Sequence, residues 1–223
     1  MTVRQILVID PAVNIAEIEC YNNISLISPL TTTYHLPAFY GLQSLHAIDM
    51  ATVAGIIILG SASSVNERLP WQSMFEAWIK PNLENWIPTL GICYGHQMLA
   101  HLYGGAVDYI FSDQKKISAM RCINIEKLPW FKSTLGSIAV SHNEMITRMP
   151  DCFNVIATSR ECNTDGMAHN RLPIWSFQSH PEATKEFLSN HQIEISAPDQ
   201  QLQFGQGLLK KFLEYASTFH RNQ

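Results

Sequence analysis

The residues that most constrain this chain are Gly91-Ile92-Cys93-Tyr94-Gly95. Two glycines flank one cysteine at offsets of minus two and plus two. An apolar start, Thr89-Leu90, precedes them. His96, Gln97, Met98, Leu99 and Ala100 follow with apolar residues at helical spacing, and Gly104-Gly105 stops the run. The pattern is that of a strand, a sharp turn and a helix, with the cysteine at the apex. A residue held in so tight a turn pushes its neighbours' side chains into the strand and the helix, and a missing Cβ at both flanking positions avoids the clash. The first amides of the new helix then point at the sulfur and favour its thiolate. The plain alternative is a buried cysteine before an ordinary helix, because free cysteine is among the most buried residue types. The glycine pair weighs against it.

A second segment, Ile174-Trp175-Ser176-Phe177-Gln178-Ser179-His180-Pro181-Glu182, runs an apolar strand into His-Pro-Glu. Proline cannot continue a central strand, which places His180 at the strand's end. Pro181 also suits the first turn of a following helix. A catalytic cysteine needs a base to take its proton, and the base needs an acceptor to fix its tautomer. His180 and Glu182 can supply both from one strand end.

Together, Gly91-Ile92-Cys93-Tyr94-Gly95-His96-Gln97 and Gln178-Ser179-His180-Pro181-Glu182 resemble the class I (triad) glutamine amidotransferases, above all the amidotransferase domain of GMP synthetase and its stand-alone relatives. The resemblance implies an enzyme in which Cys93 attacks the side-chain amide of glutamine. His180 takes the thiol proton and passes it to the leaving ammonia, and Glu182 orients His180. A γ-glutamyl thioester forms, and water releases glutamate. The oxyanion falls to the backbone amide of Tyr94 and, more weakly, to that of Gly60 or Ser61. In the family the second donor loop commonly reads Gly-Gly-Pro. Here it reads Gly60-Ser61-Ala62-Ser63-Ser64, so Gly60 survives and Ser61 and Ala62 depart, and a plain serine-rich loop is the competing reading. By the same resemblance Gln97 helps hold the substrate, and the backbone of Ser141-His142-Asn143 grips its amino-acid end. The plain reading of that last segment is an ordinary turn after a strand. No cofactor and no metal are implied. The implied partners are glutamine or a γ-glutamyl compound, and a synthase subunit receiving ammonia for an acceptor the sequence does not identify.

Three rivals stay open. An α/β-hydrolase-type esterase orders its triad nucleophile, acid, histidine, which Cys93, Asp165 and His180 satisfy. A stand-alone γ-glutamyl hydrolase needs no acceptor. A regulatory subunit keeps the fold without turnover, against which Cys93, His180 and Glu182 all stand. His142, with Glu144 close by, is a minor alternative base. His96 and His101 are five apart, not the four of a zinc-binding helical pair, and read as structural or surface residues.

The 223 residues are 46% hydrophobic, enough for one large α/β domain with a real core. A net charge of −4 without a basic run points away from nucleic acid. No apolar stretch approaches a membrane span, and the amino-terminal MTVRQILVID reads as a strand, not a signal peptide. Five cysteines without a CxxC argue against a disulfide framework or zinc ribbon and suit a reducing cytoplasm. No P-loop or other nucleotide-binding pattern is visible.

In chain order, residues 5–10 form a short buried strand, 12–21 a weak helix, 31–35 a second strand and 41–50 one short helix. Residues 55–60 are apolar throughout, as in a parallel strand buried on both faces. Residues 70–83 form an amphipathic helix whose Trp71, Met74, Phe75, Trp78 and Ile79 belong to a core. Short alternating runs from 107 to 145 read as antiparallel, with strands at 117–125 and 137–140. Residues 154–159 and 166–169 flank Asp165-Gly166 as a hairpin turn. Residues 173–179 return to the core, and 202–219 close the chain as a helix. The expected fold is therefore one α/β domain over residues 1–223: three layers, a mostly parallel central sheet and an antiparallel extension. The nucleophile lies at the carboxyl end of a central strand, where open α/β sheets place ligands.

Overall fold

The computed structural model describes residues 3–220. The strands are β1 (Gln5–Ile9), β2 (Thr31–His35), β3 (Val53–Ile58), β4 (Thr89–Ile92), β5 (Ala106–Tyr109), β6 (Ile117–Ile125), β7 (Leu135–His142), β8 (Glu144–Arg148), β9 (Phe153–Thr158), β10 (Gly166–His169) and β11 (Ile174–Phe177). The helices are α1 (Ile18–Ile27), α2 (Pro37–Tyr40), α3 (Gln43–His46), α4 (Pro70–Leu83), α5 (Tyr94–Leu102), α6 (Lys185–Asn190), α7 (Pro198–Gln201) and α8 (Gln203–Thr218).

Among the described residues, nine strands form one sheet in the order β2-β1-β3-β4-β11-β10-β9-β6-β7, and β5 pairs with β8 in a separate ribbon. Pairing is parallel from β2 to β11 and antiparallel from β11 to β7. The antiparallel part is thus as extensive as the parallel one. The sheet curls until β7 meets the end of β11, where the His180 amide donates to the Ala139 carbonyl at 2.8 Å.

Strand alternation sorts the core into two layers. In β1, Ile6 and Val8 pack with Ile24 of α1 and with Leu208, Leu209, Phe212 and Leu213 of α8. Leu7 and Ile9 face the other way, toward Phe75, Ile79 and Leu83 of α4 and Met98 and Leu99 of α5. Every residue of β3, β4 and β11 is buried, as the unbroken apolar run of β3 predicts for a strand covered on both faces; β4 and β11 also bury Thr89 and Ser176. In α4, Phe75 and Ile79 are core, but Met74 is 51% exposed. Gln72 is buried instead, because its side chain binds the Leu69 amide at 2.7 Å and the Ser64 carbonyl at 2.8 Å.

Three local expectations are corrected. Residues 12–17 are not helical. The Asp10 carboxylate accepts the amides of Ala12 at 2.9 Å and Glu17 at 2.8 Å, and also the Tyr34 hydroxyl. These bonds hold the segment as a loop, and the helix starts at Ile18. Asp165-Gly166 is not a hairpin turn. Gly166 lies inside β10, where an added Cβ would meet the Ala157 side chain and the Phe177 ring at 2.9 Å, and the connection runs through residues 159–165. Pro181 does not open a helix. The next one begins at Lys185, capped by the Thr184 hydroxyl, which accepts from the Phe187 amide at 3.2 Å.

Candidate active site

Cys93 sits between β4 and α5 as the residue capping that helix's amino terminus, with φ 51° and ψ −100°. A non-glycine residue in this region carries about 1–3 kcal/mol of strain, which the surrounding structure must impose. The flanking glycines show how. A Cβ on Gly91 would lie 2.7 Å from the Gly95 carbonyl oxygen, and one on Gly95 would run into the Ile58 carbonyl oxygen. The turn is therefore clamped by backbone on both sides. The Cys93 amide donates to the Phe177 carbonyl at 2.8 Å, tying the turn to β11. As the first helical residue of α5, Tyr94 offers an amide with no acceptor inside the helix.

β11 delivers His180 to the same place. Its Nδ1 hydrogen-bonds Glu182 Oε1 at 2.8 Å, and both residues are buried. Its Nε2 has no hydrogen-bond partner in the protein. Gly60 packs between the two halves of the site: a Cβ there would be 3.0 Å from His180 Cε1 and 3.5 Å from Cys93 Cβ. Burial alone would lower the imidazole's pKa. The Glu182 carboxylate and the Cys93 sulfur outweigh it, and the pKa is raised to about 10. A thiol, an imidazole and a carboxylate bonded to it meet here at a helix amino terminus, an arrangement chemically suited to attack on a carbonyl carbon.

Cys93, His180 and Glu182 line a cavity of about 310 Å³ at the carboxyl end of the parallel strands. Gly60, Ser61 and Ser141 line it too. The Ser61 hydroxyl donates to the Pro11 carbonyl at 2.7 Å and accepts from the Ser63 amide at 3.1 Å, which fixes the loop that departs from Gly-Gly-Pro. The Ser141 carbonyl is 4.0 Å from Cys93 Sγ.

The other expected residues lie outside the cavity wall. The Tyr94 side chain is buried, with its hydroxyl 3.2 Å from Gln72 Nε2. The Gln97 amide donates to the Glu144 carbonyl at 2.9 Å and to Gln178 Oε1 at 3.1 Å. Gln178 in turn reaches Cys93 Sγ at 3.6 Å, so Gln97 stands one side chain behind Cys93. His142 accepts from Arg121 at its Nε2, 2.9 Å away, and its Nδ1 donates to the Glu144 carbonyl at 2.8 Å. Burial and the Arg121 charge lower its pKa to about 3, so it is neutral, with both ring nitrogens engaged, and is no base for Cys93. The Asn143 carbonyl accepts from the Ile110 amide at 2.9 Å. Asp165 bonds Arg121 at 2.7 Å, both buried, while Glu182 holds His180. His96 is fully buried between Ser176 at 2.8 Å and the Thr164 carbonyl at 3.1 Å, a structural histidine.

Sequence reasoning missed Glu17, Lys116, Phe187 and His191, which also line the cavity. Glu17 precedes α1, Lys116 precedes β6, and Phe187 and His191 lie in and at the end of α6; none carries a local motif. Among the described residues no group of three or more His, Cys, Asp or Glu side chains is arranged to hold a metal ion. Nor is any helix among them long and apolar enough to cross a membrane.

Comparison with known proteins shows the family. The sequence model of the family described as glutamine amidotransferase class-I matches residues 27–195. The chain is 33% identical over 96 residues to a subunit of the glutamine-hydrolyzing GMP synthase of Methanothermobacter thermautotrophicus, covering 43% of this chain and 52% of that one. It is 32% identical over 144 residues to the glutamine-hydrolyzing GMP synthase of Aromatoleum aromaticum, covering 59% of this chain and 26% of that one. The matched region thus spans about half of the first relative and about a quarter of the second. A glutamine amidotransferase crystal structure from Thermotoga maritima superposes with a TM-score of 0.73, covering 98% of this chain and 100% of that one at 20% identity, which speaks for the fold.

Proposed function

The chain belongs to the class-I glutamine amidotransferase family, and from that premise we propose that it hydrolyses the side-chain amide of glutamine and releases ammonia to a synthase partner. The observation that carries this reading is Cys93 at φ 51° on the β4–α5 turn, in one cavity with the hydrogen-bonded pair His180 and Glu182. Cys93 Sγ attacks the amide carbon while His180 Nε2 holds the proton that leaves the thiol. The oxyanion is met by the Tyr94 amide and by that of Gly60 or Ser61. Removing one such donor typically costs roughly 100- to 1,000-fold in rate. His180 gives its proton to the departing ammonia, leaving a γ-glutamyl thioester on Cys93. Water then adds with His180 as base, and glutamate departs. Glu182 keeps the tautomer and stabilises the imidazolium in both halves.

The partner reading rests on relatives named as one subunit of GMP synthase. A partner has an evident target in the loop Gly60-Ser61-Ala62, where turning one amide changes the barrier by several kcal/mol. The five cysteines stand free, which supports a reducing cytoplasm, and the described residues 3–220 make up one amidotransferase-like domain. The test is steady-state ammonia release by the purified chain, with glutamine and a panel of γ-glutamyl compounds, alone and with a candidate synthase partner. Slow glutamine hydrolysis that the partner accelerates supports the proposal. Full turnover of another γ-glutamyl compound without a partner, with glutamine a poor substrate, replaces it with a stand-alone γ-glutamyl hydrolase.

A further inference from the structure

We propose that Glu17 and Lys116 bracket the zwitterionic end of the substrate, Glu17 taking the α-ammonium and Lys116 the α-carboxylate. This rests on reading the cavity as a glutamine site and names which side chains select the substrate there. The segments expected to grip that end do not all reach the cavity: His142 and Asn143 are bonded into the fold, and only Ser141 faces the space.

The cavity wall supplies a different set. Glu17 enters from the loop that Asp10 pins over the sheet, through its bonds to the Ala12 and Glu17 amides. Lys116 enters from the turn before β6, and His191 from the end of α6. His191 stands between the two charges. Its Nε2 is 3.8 Å from Glu17 Oε1, and its Nδ1 is 3.3 Å from Lys116 Nζ and 2.9 Å from Ser141 Oγ. The imidazole is fixed by its ring packing on Phe187, at 4.2 Å between centroids. One imidazole edge therefore separates a carboxylate from an ammonium, as one Cα separates the two charges of an amino acid. Ser141, bonded to His191 through its hydroxyl, is the residue whose carbonyl lies 4.0 Å from Cys93 Sγ. His191 and Ser141 thus link the bracket to Cys93.

The Glu17 charge suits an ammonium. Burial pushes the Glu17 carboxyl up, but His191 and His180 outweigh it and hold it below the usual carboxylate range, so it is ionised at neutral pH. The other charged cavity groups, Glu182 and His180, hold each other. Glu17 meets His191 at 3.8 Å and Cys20 Sγ at 3.7 Å, and Lys116 meets His191 at 3.3 Å, contacts long enough for a charged ligand to replace.

Two amide analogues separate the roles. Glutaric acid monoamide lacks the α-ammonium, and 4-aminobutanamide lacks the α-carboxylate. Their binding, and that of glutamine, is measured by calorimetry on the Cys93→Ala protein, which needs no turnover. Each analogue forgoes one charge-assisted hydrogen bond and should bind about tenfold or more weakly than glutamine. Adding Glu17→Gln should erase the preference over glutaric acid monoamide and leave the preference over 4-aminobutanamide. Adding Lys116→Gln should do the reverse. Equal binding of glutamine and either analogue, or survival of either preference in its matched variant, overturns the bracket. Ammonia release by the unmodified protein is scored separately. Turnover without these preferences keeps the glutaminase reading and removes the bracket, whereas the preferences without turnover keep the bracket and remove the glutaminase.

Discussion

Nδ1 of His180 donates a hydrogen bond to Oε1 of Glu182 at 2.8 Å, across the single residue Pro181. β11 ends at Phe177 and the chain runs on through Gln178 and Ser179 to His180, where Pro181 turns it so that a carboxylate two positions on reaches the imidazole. That leaves Nε2 without a partner beside Cys93. The rival acid, Asp165, spends Oδ1 on Arg121 at 2.7 Å.

These two carboxylates should therefore fail differently. Glu182→Gln keeps the packing and removes the charge that stabilises the imidazolium, lowering kcat by on the order of 100-fold or more with little change in unfolding free energy. Asp165→Asn leaves the buried Arg121 guanidinium without a counter-charge, costing roughly 3–5 kcal/mol of stability while kcat of the folded protein stays near wild type. Ammonia-release kinetics and urea unfolding on both variants check this. The opposite pattern would restore the α/β-hydrolase order of nucleophile, acid, histidine.

The pH dependence of stability follows from His180, whose pKa rises from its ordinary 6.5 to about 10 on folding. The folded state binds the extra proton, so the contribution is fully present below about pH 6.5 and is lost as pH rises through about 10. The stability difference between wild type and His180→Gln should shrink steadily across that window in urea titrations. A difference that is flat with pH, or that grows, contradicts the charged imidazole.

The elbow glycines predict a steric effect. Gly95→Ala drives a Cβ into the Ile58 carbonyl, which is backbone and cannot swing aside. It should cost about 1–3 kcal/mol of stability and lower turnover, because relief moves Cys93. Gly207→Ala, on α8 with nothing within 4 Å of the added carbon, is the control and should be stabilising by up to about 1 kcal/mol. Thermal unfolding with parallel rate measurements checks the pair. An unperturbed Gly95→Ala protein would remove the backbone clamp on the turn.

What was legible in the sequence was the part written locally. Gly91 and Gly95 record a clash with backbone four residues or one strand away, and His180-Pro181-Glu182 records a bond between neighbours. The buried parallel strands β3, β4 and β11 were legible because both faces demand apolar residues. The meeting of Glu17, Lys116 and His191 was not, since it needs the Asp10-pinned loop, the turn before β6 and the end of α6 to converge on a curled sheet. Residues 12–17 read as helix because nothing in their own pattern reveals that Asp10 will take two of their amides. His142 carried the right residue type for a base, and only the fold supplies Arg121 at its Nε2.

Cys93 is proposed as the nucleophile toward glutamine. The most direct measurement is mass-spectrometric mapping of the adduct left by a glutamine-analogue chloroketone, with and without competing glutamine. Cys122 is exposed, Cys152 partly so, and Cys20 and Cys162 are buried, which makes them internal controls for simple accessibility. Burial raises the Cys20, Cys152 and Cys162 thiols above their ordinary pKa and lowers their reactivity further. The label should land first on buried Cys93, glutamine should protect it, and ammonia release should be lost in proportion. Labelling that lands first on Cys122 or any other cysteine, or that glutamine does not slow, would contradict it.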